Sequence, residues 1–171
     1  MKALKTHLWT GAIAVGVAFL ALGIFFVIQG FDAKATIREA LADENVTTSS
    51  DAVEFGVPGG LLVQDAKTAE AQAEVIKMHS IDRYGLYSEM ERDDPNRATY
   101  IKGLTLRNAL NLSVLGFGVA DLAIGTGAMI IVLGAGTLAL VAPALYVMTA
   151  ATESVVTLKR GSPAGVLAVG D

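Results

Sequence analysis

The sequence predicts an all-α membrane protein with an N-terminal transmembrane anchor helix, an extramembrane helical cap and a C-terminal transmembrane hairpin. Three observations predict it. Residues 8–28 are 21 residues without a charge, and residues 108–152 are a 45-residue, mostly apolar stretch whose only charge is Asp121. Between them, residues 32–107 hold 9 of the 13 Lys+Arg and 14 of the 17 Asp+Glu. The chain as a whole is 53% hydrophobic and 18% charged, with a mean hydropathy of +0.52. Soluble chains carry about a quarter charged residues, so water is the wrong solvent for much of this one.

Residues 1–31 are the N-terminal segment and first span. At 1.5 Å per residue its apolar run reaches ~31 Å, one hydrocarbon thickness. Lys2 and Lys5 precede the run without an acidic counterpart, whereas Asp32, Lys34, Arg38 and Glu39 follow it as a balanced mixture. That bias places the N-terminus in the cytoplasm and residues 32–107 outside. Ala33-Lys34-Ala35 imitates a signal-peptidase site, but cleaved signals use an apolar core of only about 7–15 residues. An uncleaved anchor is expected.

Residues 32–107 read as a mostly helical extramembrane region. Residues 31–43 continue the first helix beyond the bilayer, with Ile37 and Leu41 on one face. Residues 45–50 are a polar turn run, and Phe55-Gly56-Val57-Pro58-Gly59-Gly60 is rich in helix breakers. Asp65 is an N-cap, and Ala69, Ala73, Ile76 and Ser80 follow at helical spacing up to Gly85. Asp94-Pro95 repeats the start signal. From there a helix is expected to run outside the membrane and enter it near Leu110. The apolar content of this region is modest, so a cap leaning on the extended ends of two spans is expected rather than a separate domain.

Residues 108–156 form the expected hairpin. A single helix over 108–152 would be ~67 Å long, more than twice the hydrocarbon thickness. Gly134-Ala135-Gly136 is the expected turn, giving helices over about 110–133 and 137–155, with Pro143 kinking the second. Three spans leave the Lys159-Arg160 tail of residues 157–171 on the side opposite the N-terminus. Two spans, with the last segment re-entrant or interfacial, would return those charges to the cytoplasm.

Asp121 is the leading candidate for function. On the hairpin reading it sits near mid-span, where a carboxylate costs about 2.5–3.5 kcal/mol on insertion scales. Asn111, Gly118, Asp121 and Gly125 fall on one helical face, and Gly116, Ala120, Ala123 and Gly127 line a neighbouring one. Small residues there would admit another helix, with Asp121 as polar glue; the alternative is a proton relay or ion-coordinating carboxylate. Ala12, Gly16 and Gly23 give the first span a similar stripe.

His79 and Asp82, three apart on a helix, are the candidate pair for a common ion, short of the three or four ligands zinc takes. The acidic run Glu89, Glu91, Asp93 and Asp94 lacks the ligand offsets and turn glycine of a calcium loop. No nucleophile–base pair stands out, so neither an enzyme nor a cofactor is expected. The absence of cysteine removes disulfides and thiolate sites, and a net charge of −4 argues against a nucleic-acid partner. The expected partners are the lipid bilayer and either further copies of the chain or another membrane protein.

These residues together resemble a family of small integral membrane proteins of unknown function from high-GC, actinobacterial-type genomes. The cues are the anchor, Ile37-Arg38-Glu39-Ala40-Leu41 with Glu44-Asn45-Val46, the alanine-spaced stretch 65–79, residues 100–110 and Gly116-Phe117-Gly118-Val119-Ala120. Some relatives of that kind carry a label naming an aromatic ring-opening dioxygenase subunit. A non-haem iron site takes two His and a carboxylate, and here His7 and His79 are separated by an entire span.

Overall fold

The computed structural model describes residues 7–161, with side chains through residue 151. The described chain is all-helical apart from loops and one isolated antiparallel bridge, Thr47 to Leu62. Four helices carry it: α1 (Leu8–Asp43), α2 (Ala66–Tyr84), α3 (Arg97–Gly136) and α4 (Ala142–Gly161). Short 3-10 turns occupy Ser50–Phe55 and Tyr87–Glu89. Two helical segments are long and apolar enough to cross a membrane, Leu8–Asp43 and Arg97–Ala151, and only 11% of each apolar window is buried within the chain. A core helix of a soluble protein would be mostly covered. These helices instead present their apolar side chains outward, as helices solvated by lipid do.

The turn expected at Gly134-Ala135-Gly136 is absent. Five residues of π-helix, Thr137–Val141, join α3 to α4 without a reversal, and Gly136 itself is helical at φ −60° and ψ −40°. The C-terminal hairpin of the sequence reading is therefore replaced by one continuous helical segment, and the described chain has two candidate spans rather than three. Between Gly127 and Ala142 the only polar side chain is Thr137. Glycine alone, without the polar turn formers that satisfy exposed backbone groups, does not stop a helix in an apolar run.

The π turn ends two residues before Pro143. Pro143 has no N–H for the carbonyl four residues back, and its ring crowds that carbonyl. In the wider turn the Ala142 N–H donates to the Thr137 carbonyl five residues earlier.

The described residues before Phe26 and after Thr126 form one compact unit, and Phe26–Thr126 forms another. In the first unit, α1 runs antiparallel to the helix that follows Thr126, with Gly16 at Gly134 and Gly23 at Gly127. Trp9 closes the pair with an edge-on contact to Tyr146, ring centroids 5.6 Å apart.

The second unit holds the cap. One buried cluster joins Leu41 of α1, Ala69 and Ala73 of α2, Leu110 and Phe117 of α3, and Val63; Ile37, Ile76 and Val114 pack against it. A second joins Ala52, Val57, Ala71 and Val75. Helix α2 is thus covered on two sides, which its alanines allow. The cap leans on the extended helices as expected.

Local chemistry sets the cap's boundaries. Asp65 accepts from the Thr68 N–H at 2.8 Å, and the Thr68 hydroxyl reaches back to the Asp65 N–H, a reciprocal N-cap. The Thr68 amide, then its hydroxyl and the Lys67 amide, hold the Asp65 carboxyl below its ordinary pKa of 3.8 against the opposing effect of burial. Buried Thr48 organises the loop before α2. Its hydroxyl donates to the Pro58 carbonyl at 2.8 Å and accepts from the Leu61 N–H at 2.9 Å. Gly60, at φ 79°, donates to the Thr48 carbonyl from a conformation that L side chains rarely adopt. Helix α3 begins at Arg97, two residues after Pro95, because Asp94 turns the chain first by accepting from the Asn96 N–H at 2.7 Å. The Arg97 guanidinium then lies 4.4 Å over the Tyr87 ring and donates to the Met90 carbonyl.

Candidate functional site

The strongest site-like feature is a seam of small residues between antiparallel helices. Gly16, Gly23 and Gly30 recur every seven residues on α1, and Ala120, Gly127 and Gly134 recur every seven on α3. Each of these three α1 glycines lies against the facing helix. A Cβ on Gly23 would sit 2.7 Å from the Gly127 carbonyl oxygen and 2.9 Å from the Ile131 nitrogen. On Gly30 it would meet the Ala120 carbonyl oxygen at 2.8 Å. On Gly134 it would meet the Gly16 carbonyl oxygen at 2.8 Å. Backbone approach this close is what small residues provide in lipid, where helices associate by packing and not by escape from water.

The π turn keeps this seam in phase near Trp9. Seven residues after Gly134 is Val141, which is exposed, whereas Ala142 is buried. The extra residue in the turn shifts the covered position by one. The helix face is re-aimed without a break, a recognised use of π turns.

The residues singled out from the sequence fall differently. Gly116 packs against Ile37, and Ala120 and Gly127 are buried in the seam, so the neighbouring face is the packed one. Asn111, Gly118 and Gly125 are exposed, and nothing lies within 4 Å of a Cβ built on either glycine. Asp121 pairs with Lys34, and its side chain is largely exposed. It is therefore not a lone carboxylate facing a bundle interior. Lys34 lies six residues beyond the apolar run 8–28, at the start of the polar part of α1. The sequence reading assigned Asp121 a mid-span depth from the boundaries 110–133, and those boundaries vanish with the hairpin.

His79 does not join Asp82. Its Nε2 hydrogen-bonds Asp51 Oδ2 at 2.7 Å, which ties the Ser50–Phe55 turn to α2. His79, Asp82 and Arg83 line one shallow, open depression. Among the described residues, no three His, Asp or Glu side chains converge as metal ligands would.

Sequence reasoning missed Gly30, the seven-residue rule and the Lys34–Asp121 pair. The first two were legible as the series Trp9, Gly16, Gly23, Gly30, Ile37. The third was not, because it depends on the register between two helices. No known family, characterised protein or solved structure matches the chain.

Proposed function

We propose that this protein is a two-span, non-catalytic membrane subunit whose antiparallel helices hold a water-facing helical cap for interaction. The observation that carries it is the division of labour along α1. Its first part packs through glycine with apolar side chains outward, and its last part packs a cap rich in charges. On this reading the bilayer covers residues 8–28 and the facing stretch, about 122–142, each ~31 Å long.

Two spans bring both chain ends to one side. Lys2 and Lys5 then join Lys159 and Arg160 in the cytoplasm, while residues 32–107, with 9 basic and 14 acidic groups, lie outside. The charge conflict of a three-span chain disappears. The Lys34–Asp121 pair falls at the outer interface, where each charge neutralises the other and both reach water. That placement supports a staple between helices rather than a proton relay, which needs its carboxylate within the span.

The test is topological. Reporters fused to either end are expected on the same side of the membrane. Single cysteines placed at Glu54 or Glu91, in a chain with no other thiol, are expected to react with a membrane-impermeant maleimide from the opposite side. Ends on opposite sides, or release of the protein by alkaline carbonate, would refute the reading.

A further inference from the structure

We infer that His79 and Asp51 form an acid-tightened latch, which holds the Ser50–Phe55 turn against α2 more firmly when the imidazole is protonated. The latch lies wholly within the cap and works on either side of a membrane, so its test is independent of the two-span reading. Asp51 comes from the turn and His79 from α2, 28 residues apart in sequence. The imidazole Nε2 lies 2.7 Å from Asp51 Oδ2. A carboxylate only accepts, so Nε2 carries the proton and donates it. Nδ1 is then the atom that takes up a second proton. The two side chains are 52% and 42% exposed, so water delivers that proton directly.

Packing places the turn without regard to pH. Ala52 and Val57 are buried with Ala71 and Val75 of α2. The Ser49 amide donates to Gln72 Oε1 at 2.8 Å. Gln72 and His79 are two turns apart on one face of α2. These contacts are apolar or neutral, and acid leaves them as they are. The His79–Asp51 contact changes. A neutral imidazole gives one hydrogen bond, whereas a charged one adds Coulomb attraction at the same distance.

The surrounding charges do not reverse the effect. Asp82 and Arg83 line the open depression with His79 and are of opposite sign. Glu54, the other acid of the turn, has the sign that favours a charged imidazole. Lys77 is paired with Glu74. On another face, α3 meets α2 at Gly103, beside Ile76 and Ser80, and the neighbouring Lys102 is exposed. Histidine is the side chain that ordinarily changes charge between pH 5 and 8, and His79 is the only one in residues 32–107. Acidification over that range therefore acts on the cap chiefly through this contact. A bond that favours the charged imidazole adds stability as the pH falls and loses it as the pH rises.

The experiment is amide hydrogen exchange on the full chain in lipid nanodiscs, at pH 8 and pH 5, corrected for the intrinsic pH dependence of exchange. The Ser49 amide reads separation of the turn from α2 directly, because its acceptor is on α2. The Ala52 amide reads opening of the turn, because it donates to the Ser49 carbonyl at 3.0 Å in a fully buried residue. Protection of residues 49–57 is expected to rise ~2- to 5-fold from pH 8 to pH 5 in the unmodified chain, the range of an exposed ion pair. It should stay level in Asp51→Asn, which keeps an acceptor and removes the charge. It should also stay level in His79→Gln. Both positions are partly exposed, so the buried contacts of Ala52 and Val57 survive either change. No rise in the unmodified chain overturns the inference, because the contact is then the same at every pH. A rise that persists in Asp51→Asn also overturns it, since another group would be responsible.

Discussion

Replacing Gly23 with alanine adds one methyl group at a point of the seam where facing backbone is closest. In place, that carbon would lie 2.7 Å from the Gly127 carbonyl oxygen, 2.7 Å from Ile131 Cγ1 and 2.9 Å from the Ile131 nitrogen. Carbon atoms prefer separations of ~3.5–4.0 Å. Two of the three neighbours are backbone, so no rotamer change relieves the clash. The helices must separate by several tenths of an ångström, and lining atoms lose a quarter to a half of their contact energy for a gap of about 0.5–1 Å. Overpacking of this kind costs about 1–3 kcal/mol, and the better helix propensity of alanine returns up to about 1 kcal/mol. The expected net loss is about 1–2 kcal/mol. Gly125→Ala meets nothing within 4 Å, so only the propensity gain remains. Titration from mild detergent into SDS, followed through the emission of Trp9, the single tryptophan, measures both variants. Gly23→Ala should unfold at lower SDS than the unmodified chain and Gly125→Ala at equal or higher. Gly16→Ala should fall between, because its two nearest neighbours, Cγ and Cδ2 of Leu138, belong to a side chain, which can move, and the nearest backbone atom, the Gly134 carbonyl oxygen, is 3.2 Å away. If Gly23→Ala proved as stable as Gly125→Ala, the glycine seam would not be what holds the helices together.

Three further outcomes follow from the same geometry. Deleting Leu140, an exposed residue of the π turn, should convert that turn to α-helix while leaving the seam in phase. Deleting Met129 instead should rotate the following helix by about 100° and abolish the Trp9–Tyr146 contact, as read by Trp9 emission. Asp65→Ala should destabilise the cap by about 1 kcal/mol, seen as faster amide exchange in residues 66–70. The Asp65 carboxyl is held below its ordinary value when folded. Its contribution is therefore full above pH ~4 and is lost as the pH falls through the lowered value. The stability difference between the unmodified chain and the Asp65→Ala variant should accordingly shrink on acidification and not on alkalisation. For Lys34 and Asp121, a double-mutant cycle to alanine should give a coupling of about 1 kcal/mol or less, because the aspartate is largely exposed. A coupling of several kcal/mol would place the pair in a dry interior, against the interfacial reading.

Much of the cap was legible because its signals are local. The Asp65 cap, the breaker-rich loop and Gly85 depend on residues within a few positions of one another, and the chain follows them. The alanine spacing of α2 also gave Ala69 and Ala73 as covering residues, though not the second buried side at Ala71 and Val75. The last apolar stretch was misread because length and glycine content were made to imply a turn. In an apolar run a glycine is equally a place where another helix comes close, and only the facing helix distinguishes the two. Pro143 was legible as a disturbance, but the π turn that ends two residues before it was not, because that turn depends on the packing around it.

The sequence by itself determined which segments are apolar and which are polar, and the helices and caps of the polar region. Mean apolarity over about twenty residues and the caps at helix ends are properties of contiguous residues. The tertiary structure alone decided the number of candidate spans, the partner of Asp121, the pairing of His79 with Asp51 and the use of the glycines. Each of those turns on which residues of two helices lie side by side, and a one-residue change in helix phase, such as the π turn supplies, alters the answer without altering any local signal.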